Sequence, residues 1–308
     1  MSIFGNYSLV IWINTILFLF LICIVLNFLA MFVARKTNIV DNPGNDKLKI
    51  HKRPTPLSGG IALFIFVLFI ILSQLFFVFS PTTLILLFSA IVIFIFGVLD
   101  DKFRIGPNLR LIVHSSVAVL VFWLLQSISI LNIFLALMFA VFFVGGIVSV
   151  NMIDGMDGIC TTMAAISFAG YFILFSTIDS PYKFLPFLLF IFSLAFLFFN
   201  FHPAKAFLGS SGSELLGFIF VFLSLIISNA NIWQFVFAVL IIGVPLIDMA
   251  RVMIIRKINK KPMMSGDRNH IFDWIRSRGF TQKKIWLLLS FSQIIIVFVL
   301  LIISKSIY

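Results

Sequence analysis

Charge is what this 308-residue sequence has least of. Asp, Glu, Lys and Arg make up 11% of it, whereas soluble globular domains carry about 25%. Cysteine is nearly missing too: Cys23 lies inside an apolar run and Cys160 beside one. Neither has a metal-ligand spacing, and two cysteines cannot staple a secreted disulfide scaffold. Acids number 11 against 22 Lys+Arg, and Glu214 is the one glutamate. The resulting net charge of +11 would suit DNA, but not alongside 41 Phe and 62% hydrophobic residues, so no nucleic-acid partner is expected. What is abundant is lipid-compatible side chain, with a mean hydropathy of +1.19. The lipid bilayer is the expected solvent.

A helix crosses the hydrocarbon core with about 20 apolar residues. Ten runs of about that size occur, at 12–33, 61–79, 84–99, 111–126, 130–150, 159–178, 184–199, 215–227, 232–250 and 285–303. They predict an all-α, polytopic membrane protein of about ten transmembrane helices in a single domain over 1–308. No Lys or Arg precedes Arg35, so the first run reads as a permanent helix rather than a signal peptide. Alternate loops, near 35–60, 100–110, 151–158, 200–213 and 251–284, hold 20 of the 22 cations, the others being Lys183 and Lys305. By the positive-inside rule these five loops face the cytoplasm and both termini face away from it. That rule makes no demand on acids, yet all except Asp179 fall on the same side. Asp100, Asp101, Asp154, Asp157 and Asp248 at the membrane boundary therefore need another reason, and a shared site is the one they favour.

The five loops carry distinct chemistry. The first ends HKRPTPLSGG (51–60), where prolines stiffen the chain and two glycines allow close approach. Adjacent Asp100 and Asp101 repel each other unless a metal ion or a proton sits between them. In NMIDGMDG (151–158), Asn151, Asp154 and Asp157 recur every third residue, which on a helical turn would align them on one side; Asp157 would also serve as a helix cap. The fourth loop runs from Asn200 through Phe207 to a Gly/Ser stretch whose amides and hydroxyls would suit a phosphate at a helix start. The fifth carries Asp248 and Arg251, then Asp267-Arg268-Asn269-His270. Elsewhere, His114 lies within the fourth run, and Gly243 with Pro245 should bend the ninth.

In order, HKRPTPLSGG, GVLDD, NMIDGMDGI, NFHPAKAFLG with SGS, PLIDMAR and DRNH resemble the polyprenyl-phosphate N-acetylhexosamine-1-phosphate transferases. These include the bacterial undecaprenyl-phosphate GlcNAc-1-phosphate transferases and, more distantly, phospho-MurNAc-pentapeptide translocase. The resemblance covers nearly the whole chain. It implies transfer of a sugar 1-phosphate from a UDP-N-acetyl-sugar to undecaprenyl phosphate, with release of UMP, at the start of a lipid-linked cell-envelope glycan. The setting it implies is the cytoplasmic face of a bacterial inner membrane, with Mg²⁺ or Mn²⁺ as cofactor and room for a homodimer. The catalytic residues it implies are Asp100, Asp101, Asp154, Asp157 and His270. Substrate contacts would come from Lys52, Asn151, Asn200, Arg268 and Phe207, the last stacked on uracil.

Two positions depart from the family pattern. The family's metal-ligating Asp after Phe-Leu-Gly is Ser210, and its His-x-His-His run is reduced to His270-Ile271-Phe272-Asp273. Asp101 and Asp157 would then share the metal with Glu214, four residues beyond Ser210 and on the same helical face. The alternatives are an introduced inactivating substitution, or a paralogue that binds lipid phosphate or nucleotide sugar without efficient turnover. A transporter reading is weaker, because transport sites lie near the bilayer midplane and His114 is almost the only ionisable group deep in these runs.

Overall fold

The computed structural model describes residues 9–43, 53–77, 80–125, 131–228, 232–263 and 267–306. Each of the ten apolar runs forms helix: α1 (Leu9–Lys36), α2 (Gly59–Phe77), α3 (Pro81–Phe103), α4 (Pro107–Leu125), α5 (Leu131–Ile153), α6 (Ile159–Thr177), α7 (Phe184–Asn200), α8 (Gly209–Ser228), the pair α9 (Ile232–Leu240) and α10 (Gly243–Ile258), and finally α12 (Gln282–Ser306). A short α11 (Ile271–Arg276) lies in the last loop. The expected run ends at Phe79, Gln126 and Ile130 fall outside the described residues. Seven helices among the described residues are long and apolar enough to cross a membrane, so the chain is a mostly helical, polytopic membrane protein.

The expectation of an all-α chain needs one correction. Val40–Asp41 (β1) pairs antiparallel with Thr55–Pro56 (β2), and Leu57 bridges Phe207 in parallel. The amides of Ser58 and Gly59 donate to the Phe207 carbonyl at 3.1 and 3.0 Å, while the Phe207 amide donates to Pro56. Polar backbone beside a membrane surface finds its partners here in a small three-segment patch, which fastens the first loop to the fourth.

α8 is the central post. It packs against α2, α3, α5 and α9, and Phe218 through Leu223 are each at most 2% exposed, as expected of a helix that is apolar all round. Small residues set its closest contacts. A Cβ on Gly97 of α3 would fall 2.4 Å from Ser211 Cα, and one on Gly217 would fall 2.6 Å from Ile147 Cα of α5. Backbones that approach this closely fix the start of α8 against the end of α3.

The ninth run is broken rather than bent. α9 stops at Leu240 and α10 begins at Gly243, two residues before Pro245. Buried polar side chains from other helices satisfy the freed backbone groups: Gln293 accepts from the Val244 amide at 3.1 Å, while Ser167 Oγ donates to the Ile241 carbonyl. Such a break is tolerated inside a bundle where neighbours supply the missing hydrogen bonds.

Replacing Gly97 with alanine should therefore destabilise the protein by about 1–3 kcal/mol, the usual cost of overpacking. A thermal melt in detergent checks this; an unchanged melting temperature would mean that α3 and α8 can part freely.

Candidate active site

The loops meet at one end of the bundle around a pocket of about 600 Å³. Its wall draws on all five predicted loops: Asp41 and Leu57; Asp100, Asp101, Arg104 and Arg110; Asn151, Asp154 and Asp157; Asn200, His202, Phe207, Gly209 and Ser210; and Gln282. The odd and even ends of successive helices alternate, so loops far apart in sequence arrive on the same face.

Besides Asp41 of β1, four carboxylates from the helix ends share the pocket, and of these four Asp100, Asp101 and Asp157 have hydrogen-bond partners among the described residues. Asp100, 6% exposed, pairs through Oδ2 with Arg110 Nη2 at 2.5 Å, while its buried Oδ1 has no hydrogen-bond partner. Asp101 accepts from the Ser210 amide at 2.7 Å, the Ser211 amide at 3.1 Å and the Ser211 hydroxyl at 2.6 Å. These are the unsatisfied donors at the start of α8, where a negative charge is favoured. Gly209 makes the approach feasible: its φ of +74° suits glycine, and a Cβ there would lie 2.6 Å from an Asp101 oxygen. The Gly/Ser donors expected to cradle a phosphate are thus engaged by Asp101.

Asn151 lies in the last turn of α5, and residues 154–158 form a turn rather than a helical turn. Asn151, Asp154 and Asp157 nevertheless all reach the pocket wall. Asp157 does not cap α6, whose cap is Gly158 at φ +75° without a side-chain bond. Its Oδ2 instead accepts from the Ala204 amide at 3.2 Å and stands 2.8 Å from His202 Nδ1. The Asp154 carboxylate has no hydrogen-bond partner among the described residues. Burial, and then repulsion from Asp101 and Asp157, hold its pKa well above the ordinary carboxylate range.

Asn200 has little left to offer a ligand. It is 2% exposed; its Oδ1 accepts from Thr161 Oγ1 at 2.7 Å and the Gly158 amide at 3.2 Å, and its Nδ2 donates to the Ala206 carbonyl. It braces the third loop against the fourth. Phe207 lies in the wall with its ring half-buried, as a base-stacking residue would.

Glu214 stands apart from the Asp101 and Asp157 it was expected to join. It is fully buried, with Oε1 3.3 Å from Arg110 Nε and Oε2 3.2 Å from His114 Nε2. Among the described residues, no three His, Cys, Asp or Glu side chains stand close enough to hold one metal ion. His270 and exposed Arg268 are also absent from the wall. His270 Nδ1 lies 2.7 Å from Asp248 Oδ2, and the Ile271 amide donates to Asp248 Oδ1. The His270 ring stacks on Phe272, whose tip would touch a Cβ on Gly155. The histidine loop therefore bears on the Gly155 turn of the pocket wall through Phe272. Asp267 anchors the same loop: burial alone would raise its pKa, but hydrogen bonds from Arg256 and Asn269 hold it below the usual range. Lys52 lies outside the described residues.

Arg104, Arg110, His202 and Gln282 were not anticipated as site residues. The two arginines had been counted as topology cations, and His202 sat within a recognised motif without a role.

Known sequences agree with this geometry. The pattern described as glycosyl transferase family 4 matches residues 83–228. An undecaprenyl-phosphate alpha-N-acetylglucosaminyl 1-phosphate transferase of Thermotoga maritima is 31% identical over 280 residues, covering 89% of this chain and 84% of that protein. The chain belongs to this transferase family. A probable undecaprenyl-phosphate N-acetylglucosaminyl 1-phosphate transferase of Bacillus subtilis is 28% identical over 272 residues, covering 82% of this chain and 73% of that protein. The Escherichia coli K12 enzyme, an undecaprenyl-phosphate alpha-N-acetylglucosaminyl 1-phosphate transferase, is 28% identical over 293 residues, with coverage of 88% and 78%. As a family 4 glycosyl-1-phosphate transferase, the protein concentrates its carboxylates where its membrane helices end.

A raised carboxyl pKa means that the folded protein disfavours ionised Asp154, so its penalty grows as pH rises above the ordinary value of about 4. Without divalent cations, Asp154→Asn should melt higher than wild type at pH 8, by roughly 2–4 °C for each kcal/mol relieved. The difference should shrink toward pH 4. A variant that melts lower at pH 8 would show that the ionised group stabilises the empty site.

Proposed function

We propose that this transferase moves an N-acetylhexosamine 1-phosphate from a UDP-sugar to undecaprenyl phosphate and releases UMP, at a site on the cytoplasmic face of a bacterial inner membrane. The observation that carries the reading is the meeting of Asp100, Asp101, Asp154 and Asp157 with Arg104 and Arg110 in one pocket at the ends of membrane helices. The named relatives act on undecaprenyl phosphate, and 20 of 22 cations fall in the loops on the pocket side. That charge bias supports a cytoplasmic pocket and extracytoplasmic termini.

In this reaction an oxygen of the lipid phosphate attacks the phosphorus bonded to the sugar. The bond from that phosphorus to the bridging oxygen breaks, and UMP leaves with the electron pair. A phosphate monoester has a second pKa near 6, so the nucleophile is largely ionised at neutral pH and alignment and charge neutralisation are the main needs. Arg104 and Arg110 supply fixed positive charge at the wall. The unpartnered buried Oδ1 of Asp100 is the atom suited to accept the remaining proton of a lipid phosphate. Phe207 offers a face to uracil.

A divalent cation fits this donor set. Asp154 feels the charge of Asp101 and Asp157 and has no hydrogen-bond partner among the described residues, and a hard ion prefers such oxygens. Mg²⁺ commonly uses one or two carboxylates, with water and substrate phosphates completing its shell, which suits a pocket lacking a closed three-residue cage. Asp154 with one of its neighbours, Asp101 or Asp157, would hold it. When bound, it would neutralise charge on the diphosphate.

Metal-dependent UMP release from a panel of UDP-sugars with undecaprenyl phosphate tests the reading. UDP-GlcNAc should be turned over, chelation should abolish turnover, and Asp101→Asn should lose about 100-fold or more, as loss of a reaction-centre charge usually does. Full turnover in Asp101→Asn, or none in wild type with any UDP-sugar, would contradict it. Ser210→Asp reports on the family departure: a large gain would mean that Ser210 limits the reaction, and no gain that the carboxylates already present suffice.

A further inference from the structure

A second set of charged side chains lies between α4 and α8, and the pocket chemistry leaves it unexplained. Arg110 and His114 stand one turn apart on α4, on one helical face, and both point to Glu214 of α8. Glu214 and His114 are each fully buried, whereas Arg110 is 25% exposed and lines the pocket. Two of the three guanidinium nitrogens are hydrogen-bonded, Nη2 to Asp100 and Nη1 to the Asn151 side-chain oxygen at 3.3 Å, while Nε stands 3.3 Å from Glu214 Oε1, an ion-pair contact without hydrogen-bond geometry. Asn151 is held in turn by Ser213, the neighbour of Glu214, at 2.8 Å.

Burying a carboxylate is costly, and a whole buried ion pair can often be replaced by apolar residues of similar volume without loss of stability, although removing one partner alone is destabilising. The chain's one glutamate therefore needs a reason beyond holding two helices together. An arginine reaches its targets on a long, rotatable stem, and its planar fork works only when its orientation is fixed. Glu214 places its negative charge at the Nε edge of that plane, and His114 occupies the other oxygen of Glu214.

We propose that Glu214, backed by His114, is a positioning residue for the transfer reaction, locking Arg110 so that its guanidinium stays on Asp100 and Asn151 at the pocket wall. This rests on the transferase reading given above. It assigns Glu214 to the protein's own arginine rather than to a metal.

The test is a kinetic cycle of wild type, Glu214→Gln, Arg110→Gln and the double variant, assayed for UMP release. Glu214→Gln should lower kcat about tenfold or more with little change in KM for the UDP-sugar, the pattern of an interaction that matters in the transition state. In the Arg110→Gln background the same substitution should cost nothing further, because the two residues act through one guanidinium. Glu214→Leu, which keeps an apolar helix contact, should stay folded and be as slow as Glu214→Gln. Wild-type kcat in either Glu214 variant, or equal losses with and without Arg110, would overturn the proposal. If the wild-type chain released no UMP from any UDP-sugar, the transfer reading would fail. The same cycle read in melting temperature then decides the contact, with coupled shifts supporting it and additive shifts overturning it.

Discussion

Four carboxylates from helix ends, gathered in one pocket beside Asp41, are the constraint on which the rest of this structure depends. Placed side by side in a poorly solvated wall, they repel one another. The fold answers three of them with its own groups. Asp100 has Arg110, Asp101 has the start of α8, and Asp157 has His202 and the Ala204 amide. Asp154 is left without a partner, and repulsion from its neighbours adds to burial in raising its pKa. The pocket wall holds more negative than positive charge, with Asp41, Asp100, Asp101, Asp154 and Asp157 against Arg104 and Arg110.

Several otherwise unrelated features serve that arrangement. Glycines at 97 and 217 let α8 sit against α3 and α5 at backbone distance, which brings the Ser210 and Ser211 amides to Asp101. Asn200 ties the turn bearing Asp154 and Asp157 to the fourth loop, and Phe207 ties that loop to the first. Phe272 covers Gly155, so the histidine loop bears on the same turn. The lipid-facing bundle is conventional; the departures from it, including the short strands, cluster where the loops converge.

Much of this was legible in the sequence, for physical reasons. Apolar runs of membrane length must become helices, and each of the ten did. Acids at a membrane boundary are too costly to be incidental, which singled out Asp100, Asp101, Asp154, Asp157 and Asp248 before any geometry; the first four line the pocket, while Asp248 instead holds His270 and the Ile271 amide. Partners were not legible. Arg110 meets Asn151 across 41 residues and His114 meets Glu214 across 100, and such pairings follow from packing rather than from local pattern. For that reason Glu214 read as a substitute metal ligand, and Asn200 as a substrate contact rather than a brace. Two-residue strands leave no alternation to detect, and the break before Gly243 depends on Gln293 and Ser167 from distant helices.

The account's central claim is that the protein gives Asp100, Asp101 and Asp157 hydrogen-bond partners of its own and leaves a cation to meet Asp154. Locating Mn²⁺ by anomalous scattering in crystals grown with UMP tests it directly. The account predicts one ion touching Asp154, with Arg110 still on Asp100 and Ser211 still on Asp101. An ion seated at Glu214 in place of Arg110, or a nucleotide-loaded pocket in which Asp154 touches no cation, would contradict it.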